Sequence, residues 1–362
     1  MFYIFTFFCL TIYLFFIIFI ISGLFKHKII KLSSDIEAPT VSVVIAARNE
    51  EKNLPDLIHD LINQEYPLNK LEIIFIDDRS TDLTSTILSE ASNNYSFIKY
   101  ISISEKALTM TSKKNALSKG IDIATGEIIV STDADCRVGK LWASSMAYSV
   151  LNKNCISIGF STINGDKFFD QYQKIDFLGI ISANAGAGGW NQFWSGTGQN
   201  LAYYKKDFLD IDGFNPVKEK ISGDDMYLVQ SITKIKTGLI NIDPNSFVRT
   251  VPMATLKSFI NQRIRWSSNA KINIKENRFF FIFLLNSLLF NFIILISFLF
   301  GNSWITIFTL KIICDGLVIM LGAKLFDTHI NLLSYFLWAL LQPIYVPLIA
   351  FMGLREKFTW KE

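Results

Sequence analysis

From Phe2 to Phe25 the sequence runs without a single charged side chain. About 20 apolar residues are enough to cross a hydrocarbon core as a helix, in which every backbone polar group is satisfied within the segment. The stretch is too long for the apolar part of a secretion signal, and it lacks the basic start and small-residue cleavage site. Lys26, His27, Lys28 and Lys31 follow at once, and basic flanks stay on the cytoplasmic side, which places the next region in the cytosol. Further apolar segments of spanning length fall near 279–300, 303–322 and 332–352. The expected organisation is therefore a membrane helix over 1–25, a cytosolic domain over 40–270 that includes an interfacial helix at 256–268, membrane or interfacial helices over 279–352, and a tail at 353–362. Three C-terminal spans would carry the basic tail Arg355–Lys361 outside the cytosol, so one is expected to lie in the interface or to re-enter. Pro343 and Pro347 point to the last.

The polar region alternates strand and helix. Val41–Ala47 is apolar enough to be a buried strand, and Arg48-Asn49-Glu50-Glu51 opens a helix with Leu54, Leu57, Ile58 and Leu61 at helical spacing. Leu71–Ile76 is a second strand, running into Asp77-Asp78-Arg79-Ser80-Thr81-Asp82. Ile98–Ile103, a helix through Lys113 and Lys114, and the strand from Ile128 follow. This order predicts an α/β fold with a doubly wound parallel sheet, whose ligands bind outside the carboxyl ends of the strands.

The strand from Ile128 ends in Asp133-Ala134-Asp135, and alternation puts both aspartates on one face. Two carboxylates so close repel unless a cation lies between them, and hard cations such as Mg²⁺ or Mn²⁺ take one or two carboxylates plus substrate phosphates. A solvated turn is the plainer account. Helix capping would likewise explain Asp82 and one of Asp77 and Asp78. Lys113 and Lys114 lead toward the acidic strand end, so one of them can contact a phosphate, and Lys114 is assigned to that role. The stretch Phe193–Asn200 has the glycines and small polar groups of a loop that lets backbone approach a ligand. Asp224 and Asp225 stand at a helix start; capping accounts for one, and a general base in a cleft for the other. Leu256–Trp266 is an amphipathic helix with Phe259, Arg263 and Trp266 on one face. Lys311 and Asp315, at i and i+4 inside a span, are expected to pair.

Other chemistries find little support. The net charge of +3 is small and the basic residues are scattered, so no nucleic-acid footprint appears. The four cysteines make no Cys-x-x-Cys pair, Cys136 beside Asp135 reads as packing, and the three histidines are far apart, which disfavours zinc, disulfide or triad chemistry.

Together these residues resemble the membrane-embedded family 2 inverting glycosyltransferases with a GT-A domain, the branch of cellulose, chitin, hyaluronan and poly-N-acetylglucosamine synthases. The resemblance covers about 40 to 270. It rests on Asp77-Asp78-Arg79-Ser80, Asp133-Ala134-Asp135, Ser195-Gly196-Thr197-Gly198, Gly223-Asp224-Asp225 and Gln262-Arg263-Ile264-Arg265-Trp266, in that order. It implies a nucleotide-sugar donor, UDP-linked, with base and ribose near Ala47, Glu50, Asp78 and Ser80. It implies a diphosphate and metal at Asp133 and Asp135, and Asp225 as the base within the pair Asp224–Asp225. Gln262 and Arg265 then serve the donor diphosphate, and Gly196, Thr197 and Trp266 the acceptor. Asp224 stands where glutamate is usual and Ser195 where the polymerases often have cysteine.

The chemistry expected is transfer of a sugar to a lipid-linked or glycan acceptor in cell-envelope synthesis at the cytoplasmic membrane. Alternatives are a processive polysaccharide synthase, with a partner subunit or oligomer to conduct its product, and a catalytically silent scaffold, which would not be expected to keep its acidic residues. A nucleotidyltransferase lacks support because the first strand runs into Ala46-Ala47-Arg48-Asn49-Glu50 and not into a glycine-rich phosphate loop.

Overall fold

The structure is a computed structural model, and it describes residues 2–30, 37–301 and 303–355. The chain opens with helix α1 (Phe2–Leu24), then alternates β1 (Val41–Ala47), α2 (Leu54–Ile62), β2 (Leu71–Asp78), α3 (Thr84–Asn94), β3 (Ile98–Ile103), α4 (Ser112–Ile123) and β4 (Ile128–Ser131). Next come β5 (Cys136–Val138), α5 (Trp142–Lys153), β6 (Cys155–Gly159), β7 (Ser161–Ile163) and the long α6 (Phe168–Gly188). After them run β8 (Leu201–Tyr204), α7 (Lys205–Asp210), α8 (Asp224–Ile235), β9 (Thr237–Asn241) and β10 (Val248–Thr250). The chain closes with α9 (Leu256–Ser268), α10 (Asn273–Glu276), α11 (Arg278–Ser297), α12 (Ser303–Leu325) and α13 (Leu332–Leu354).

The contacts sort the chain into two compact units. One is His27–Thr162 with Ser195–Val251; the other gathers Met1–Lys26, Ile163–Trp194 and Pro252–Glu362. Helices α6 and α9, which fall within 40–270, pack with the apolar helices.

In the first unit a seven-stranded sheet runs β3-β2-β1-β4-β8-β6-β9. The expected parallel arrangement holds across β3, β2, β1 and β4. β8 then enters antiparallel between β4 and β6, which makes the sheet mixed. Every residue of β2 is buried, as expected where helices cover both faces of a parallel sheet. The core beneath combines Val43, Ile45, Ile73, Phe75 and Val130 with Leu54, Leu57 and Leu61 of α2 and Trp142 and Met146 of α5. Helix α2 starts only at Leu54; Arg48–Asn53 form the preceding loop, with Asn49 in the left-handed region at φ 54°. A short second sheet, β5-β10-β7, completes the strands.

The opposite edge of the main sheet is tied by one carboxylate. Glu72 accepts from the Ser42 hydroxyl, the Lys99 ammonium and the Thr125 N–H, and from the Gly126 N–H at 3.2 Å. It thereby joins β1, β2, β3 and the turn into β4.

In the second unit α1 and α6 meet through small residues: a Cβ on Gly23 would lie 1.8 Å from the Gly186 carbonyl oxygen, the close approach that replaces hydrophobic drive between membrane helices. Phe16, Ala187 and Trp194 form a small core with Phe279, Phe280 and Phe283 packed against it. Helices α1, α11, α12 and α13 are each long and apolar enough to cross a membrane, and Phe7, Ile18, Ile313, Met320 and Ile344 project outward from them. Inside, Lys311 pairs with Asp315, as expected, and the Tyr13 hydroxyl donates to Asp315 Oδ1 at 2.7 Å. Pro343 and Pro347 are accommodated within a continuous α13. The tail at 356–362 lies outside the described residues.

Burial raises the Glu72 carboxyl, but hydrogen bonds from Lys99, Ser42 and Thr125 outweigh it and hold the group at about 2. A carboxyl depressed in the folded state contributes stability above its unfolded value, and that stability is lost as pH falls from about 4.3 toward 2. Glu72→Gln should cost about 1–3 kcal/mol at neutral pH, the scale of leaving buried donors without their charged acceptor, and should flatten the acid limb. Unfolding of the full chain in detergent between pH 7 and 3 measures both.

Candidate active site at the carboxyl edge of the sheet

Strand register brings the acidic motifs to one edge. Ala47, the last residue of β1, stands opposite Asp77 in β2, and Val44 stands opposite Ser131, the last residue of β4. The strand stops at Ser131, so Asp133 and Asp135 do not share a strand face as alternation suggested. They lie in the turn between β4 and β5, closed by the Cys136 N–H donating to the Asp133 carbonyl at 3.1 Å. A turn suits them better, because carboxylates in a central strand would be buried on both faces.

Because β8 is antiparallel, it begins where β4 ends: Leu201 stands opposite Ser131. The loop before it, Ser195–Asn200, is thus delivered to the carboxyl edge. Asn200 anchors this loop. Its amide donates to the carbonyls of Phe160 at 2.8 Å and Ser246 at 2.7 Å, and its oxygen accepts from the Trp142 indole at 3.0 Å. Thr197 Oγ1 sits 3.2 Å from the Ser161 hydroxyl. Sequence reading passed over Asn200; a buried side chain with such partners leaves no periodic trace.

The two motifs meet at Gly198. A Cβ there would stand 3.7 Å from Lys113 Nζ and 3.8 Å from both Asp224 Oδ2 and Asp225 Cβ. The Gly198 N–H donates to Asp225 Oδ2 at 3.3 Å, and the Met226 N–H to Asp225 Oδ1 at 2.7 Å. Asp224 and Asp225 form the first turn of α8, after Gly223 at φ 84°, where the helix dipole favours negative charge. Burial and the neighbouring Asp224 nevertheless push the Asp225 carboxyl up to about 6, against the opposing pull of the two N–H groups and Lys113. Such a carboxylate is poised to exchange a proton near neutrality.

Lys113 Nζ lies 2.7 Å from Asp133 Oδ1. Burial disfavours its charge, yet Asp133 and Asp224 outweigh burial and hold it protonated beyond its ordinary range. Of the two lysines it is Lys113 that reaches the acidic turn. Lys114, assigned to the phosphates from sequence, is buried and spends its ammonium on the Lys220 carbonyl. One residue along a helix turns a side chain by about 100°, and only the fold decides which of two adjacent lysines pairs with Asp133.

On the β1–β2 side the loops are laced together. Asp77 accepts from the Ser80 N–H at 3.0 Å, Ser80 Oγ from the Asn49 N–H at 3.0 Å, and Thr84 Oγ1 from the Glu50 N–H at 2.8 Å. Both oxygens of Asp78 accept from Arg79, and Arg48 stands 3.8 Å away. Asp82 accepts from the Thr84 N–H at 3.0 Å and the Glu51 N–H at 3.2 Å. Gln262, Arg265 and Trp266 lie on α9, in the other unit.

Asp133 and Asp135 offer hard oxygen ligands, and the ammonium already held by Asp133 shows that the turn attracts a cation. Among the described residues no group of three His, Cys, Asp or Glu side chains gathers into an all-protein cage. Two carboxylates in one turn are a donor set that a hard divalent cation accepts when substrate phosphates complete its shell. Cys136 is buried, and burial pushes its thiol up, so it stays a neutral packing group.

A family model described as Glycosyl transferase family 2 matches residues 42–224. The probable glycosyltransferase YdaM of Bacillus subtilis is 29% identical over 64% of this chain and 55% of its own length. The beta-monoglucosyldiacylglycerol synthase of Nostoc is 40% identical over 28% of this chain and 21% of its own, and the poly-beta-1,6-N-acetyl-D-glucosamine synthase of Staphylococcus epidermidis 31% identical over 31% and 25%. The chain thus spans about half the length of the first of these relatives and a quarter or less of the others. Among solved structures, the mannosyltransferase PcManGT of Pyrobaculum calidifontis, in complex with GDP-Man and Mn²⁺, superposes over 93% of both chains with a TM-score of 0.60 at 17% identity, a likeness of fold.

Asn200→Ala would leave the Ser246 carbonyl and the Trp142 indole without the partner that Asn200 supplies, while the Phe160 carbonyl keeps the Val248 N–H at 3.0 Å, at about 1–3 kcal/mol for each group left buried and unsatisfied. A lowered unfolding midpoint, with faster hydrogen exchange across 195–200, is the expected result.

Proposed function

The chain belongs to glycosyl transferase family 2, and on that premise we propose that it moves a sugar from a nucleotide-diphosphate donor to the hydroxyl of a lipid or lipid-linked acceptor, with inversion. The observation that carries this reading is the convergence of Asp225, Gly198 and the Lys113–Asp133 pair at one sheet edge. Asp225 takes the proton from the acceptor hydroxyl as it attacks, and its raised carboxyl value suits that task. Lys113 faces the leaving diphosphate and balances charge as the bond breaks. Asp133 and Asp135 would hold a divalent cation, which supplies Lewis-acid stabilisation to the diphosphate; the Mn²⁺ bound by PcManGT supports the choice of metal. Ala47, Glu50, Asp78 and Ser80 would receive the nucleoside at the laced loops, Gly196 and Thr197 would flank the acceptor, and Gln262, Arg265 and Trp266 of α9 would contribute to the diphosphate and the acceptor sugar.

A lipid acceptor is favoured by the membrane helices. Lys311, Asp315 and Tyr13, polar groups within these helices, satisfy one another, whereas a hydrophilic polymer would need an open polar lining to cross a bilayer. The glucosyldiacylglycerol synthases among the relatives support the same choice. Any long polymer would then need a partner subunit or oligomer. The basic residues after α1 support a cytosol-facing catalytic unit at the cytoplasmic membrane.

Membranes containing the protein, given a panel of radiolabelled nucleotide sugars, should move label into lipid extract; polymer made by purified protein without lipid would overturn the acceptor assignment. Asp225→Asn should lower turnover by about 10²–10⁴-fold while nucleotide binding survives. As a base, Asp225 works only when deprotonated, so wild-type turnover should fall as pH drops through about 6. Asp135→Asn, or excess chelator on the wild type, should abolish transfer; full activity in chelator would exclude the metal.

A further inference from the structure

Helix α9 is held by a buried ion pair that the transfer chemistry does not use. Arg263 is 3% exposed and Asp176, from α6, is 5% exposed. Arg263 Nε donates to Asp176 Oδ2 at 2.6 Å. Asp176 Oδ1 accepts from the Trp338 indole at 3.0 Å, and the Tyr345 hydroxyl donates to Oδ2 at 3.4 Å, both from α13. Three helices of the membrane-associated unit therefore meet at one carboxylate. On the other side of the guanidinium, its carbon lies 4.5 Å from the Phe259 ring centroid and 4.2 Å from that of Trp266. Its Nη1 donates to Gln262 Oε1, and Trp266 is flanked in turn by Phe177 with ring centroids 5.8 Å apart.

Replacing a buried ion pair by apolar groups is often neutral or better for stability, so such a pair is weak evidence of a stabilising role. What this one does is geometric. A planar guanidinium can bond a carboxylate along one edge, an amide along another, and stack on rings with its faces; a lysine ammonium offers one point charge. The same group thus touches Gln262 and Trp266, the two residues on either side of it that the reading above assigns to donor and acceptor.

We propose that Asp176 and Arg263 are positioning residues for the transfer reaction: the carboxylate, steadied by Trp338 and Tyr345, fixes the guanidinium, and the guanidinium fixes the Gln262 amide and the Trp266 ring. This rests on the reading that α9 serves the reaction. The Asp176–Arg263 bond sets α9 against α6 and α13, so loosening it frees the whole helix and not one side chain.

The test uses the full chain in detergent with Trp338→Phe, which keeps an aromatic ring but removes the indole N–H bond, and the double variant Asp176→Asn/Arg263→Gln, which removes the pair without leaving a lone buried charge. Amide exchange across 256–268 should quicken at least tenfold in both, while exchange across β2 stays as in the wild type. Transfer of label from UDP-glucose into diacylglycerol vesicles should fall about 10–100-fold in the double variant, the scale of loss that a misplacement of about 1 Å produces, even where its unfolding midpoint matches the wild type. Unchanged exchange across 256–268 in both variants would overturn the proposal. Quickened exchange with undiminished transfer would show that the clamp holds α9 without serving the reaction, and would overturn the positioning role as well. If the wild type itself moves no label from this donor, exchange alone decides the clamp. Should the double variant fail to fold, Trp338→Phe decides alone: quickened exchange across 256–268 with lowered transfer upholds the proposal, and either one unchanged overturns it.

Discussion

Carboxylates gathered at one sheet edge repel, and the catalytic edge of this protein depends on how that repulsion is held. Asp133, Asp224 and Asp225 converge on the ammonium of Lys113, which stays charged despite burial because their combined field outweighs desolvation. Two backbone N–H groups take up the remaining demand of Asp225. The balance is incomplete, and the Asp225 carboxyl rises toward neutrality. A site that neutralised its acids fully would leave none of them basic enough to accept a proton.

The antiparallel strand β8 makes this convergence possible. Parallel strands deliver only their carboxyl ends to the active edge, so Asp77, Asp78 and the Asp133 turn arrive from β2 and β4. β8 runs the other way and delivers its amino end, with the Gly196–Asn200 loop ahead of it. The Gly198 N–H therefore meets the first turn of α8. Asn200 fixes the loop to β6, α5 and the segment before β10 through bonds made entirely below the edge.

In the apolar unit, several buried polar side chains are paired with one another. Lys311, Asp315 and Tyr13 satisfy one another, and Asn286 donates to the Cys9 carbonyl at 3.0 Å. Asp176, Arg263, Trp338 and Tyr345 form another such set, which differs in that its cation also faces Gln262 and Trp266. Unpaired groups in such surroundings are costly, so each set admits few arrangements and fixes helix against helix.

The sequence by itself determined what depends on local composition: the four apolar helices, the alternation that places β1 to β4, the helix start at Asp224 and the amphipathic α9. Those follow from periodicity and from charge, which are written along the chain. Only the tertiary structure decided that Lys113 and not Lys114 pairs with Asp133, that Asp133 and Asp135 occupy a turn beyond the strand, that β8 runs antiparallel, and that α6 and α9 group with the apolar helices. Each of these depends on which distant residue stands opposite, as Leu201 stands opposite Ser131 and Asp176 opposite Arg263. Pairing across such separations leaves no period in a single sequence, because it is set by the packing of whole elements and not by the residues next in the chain.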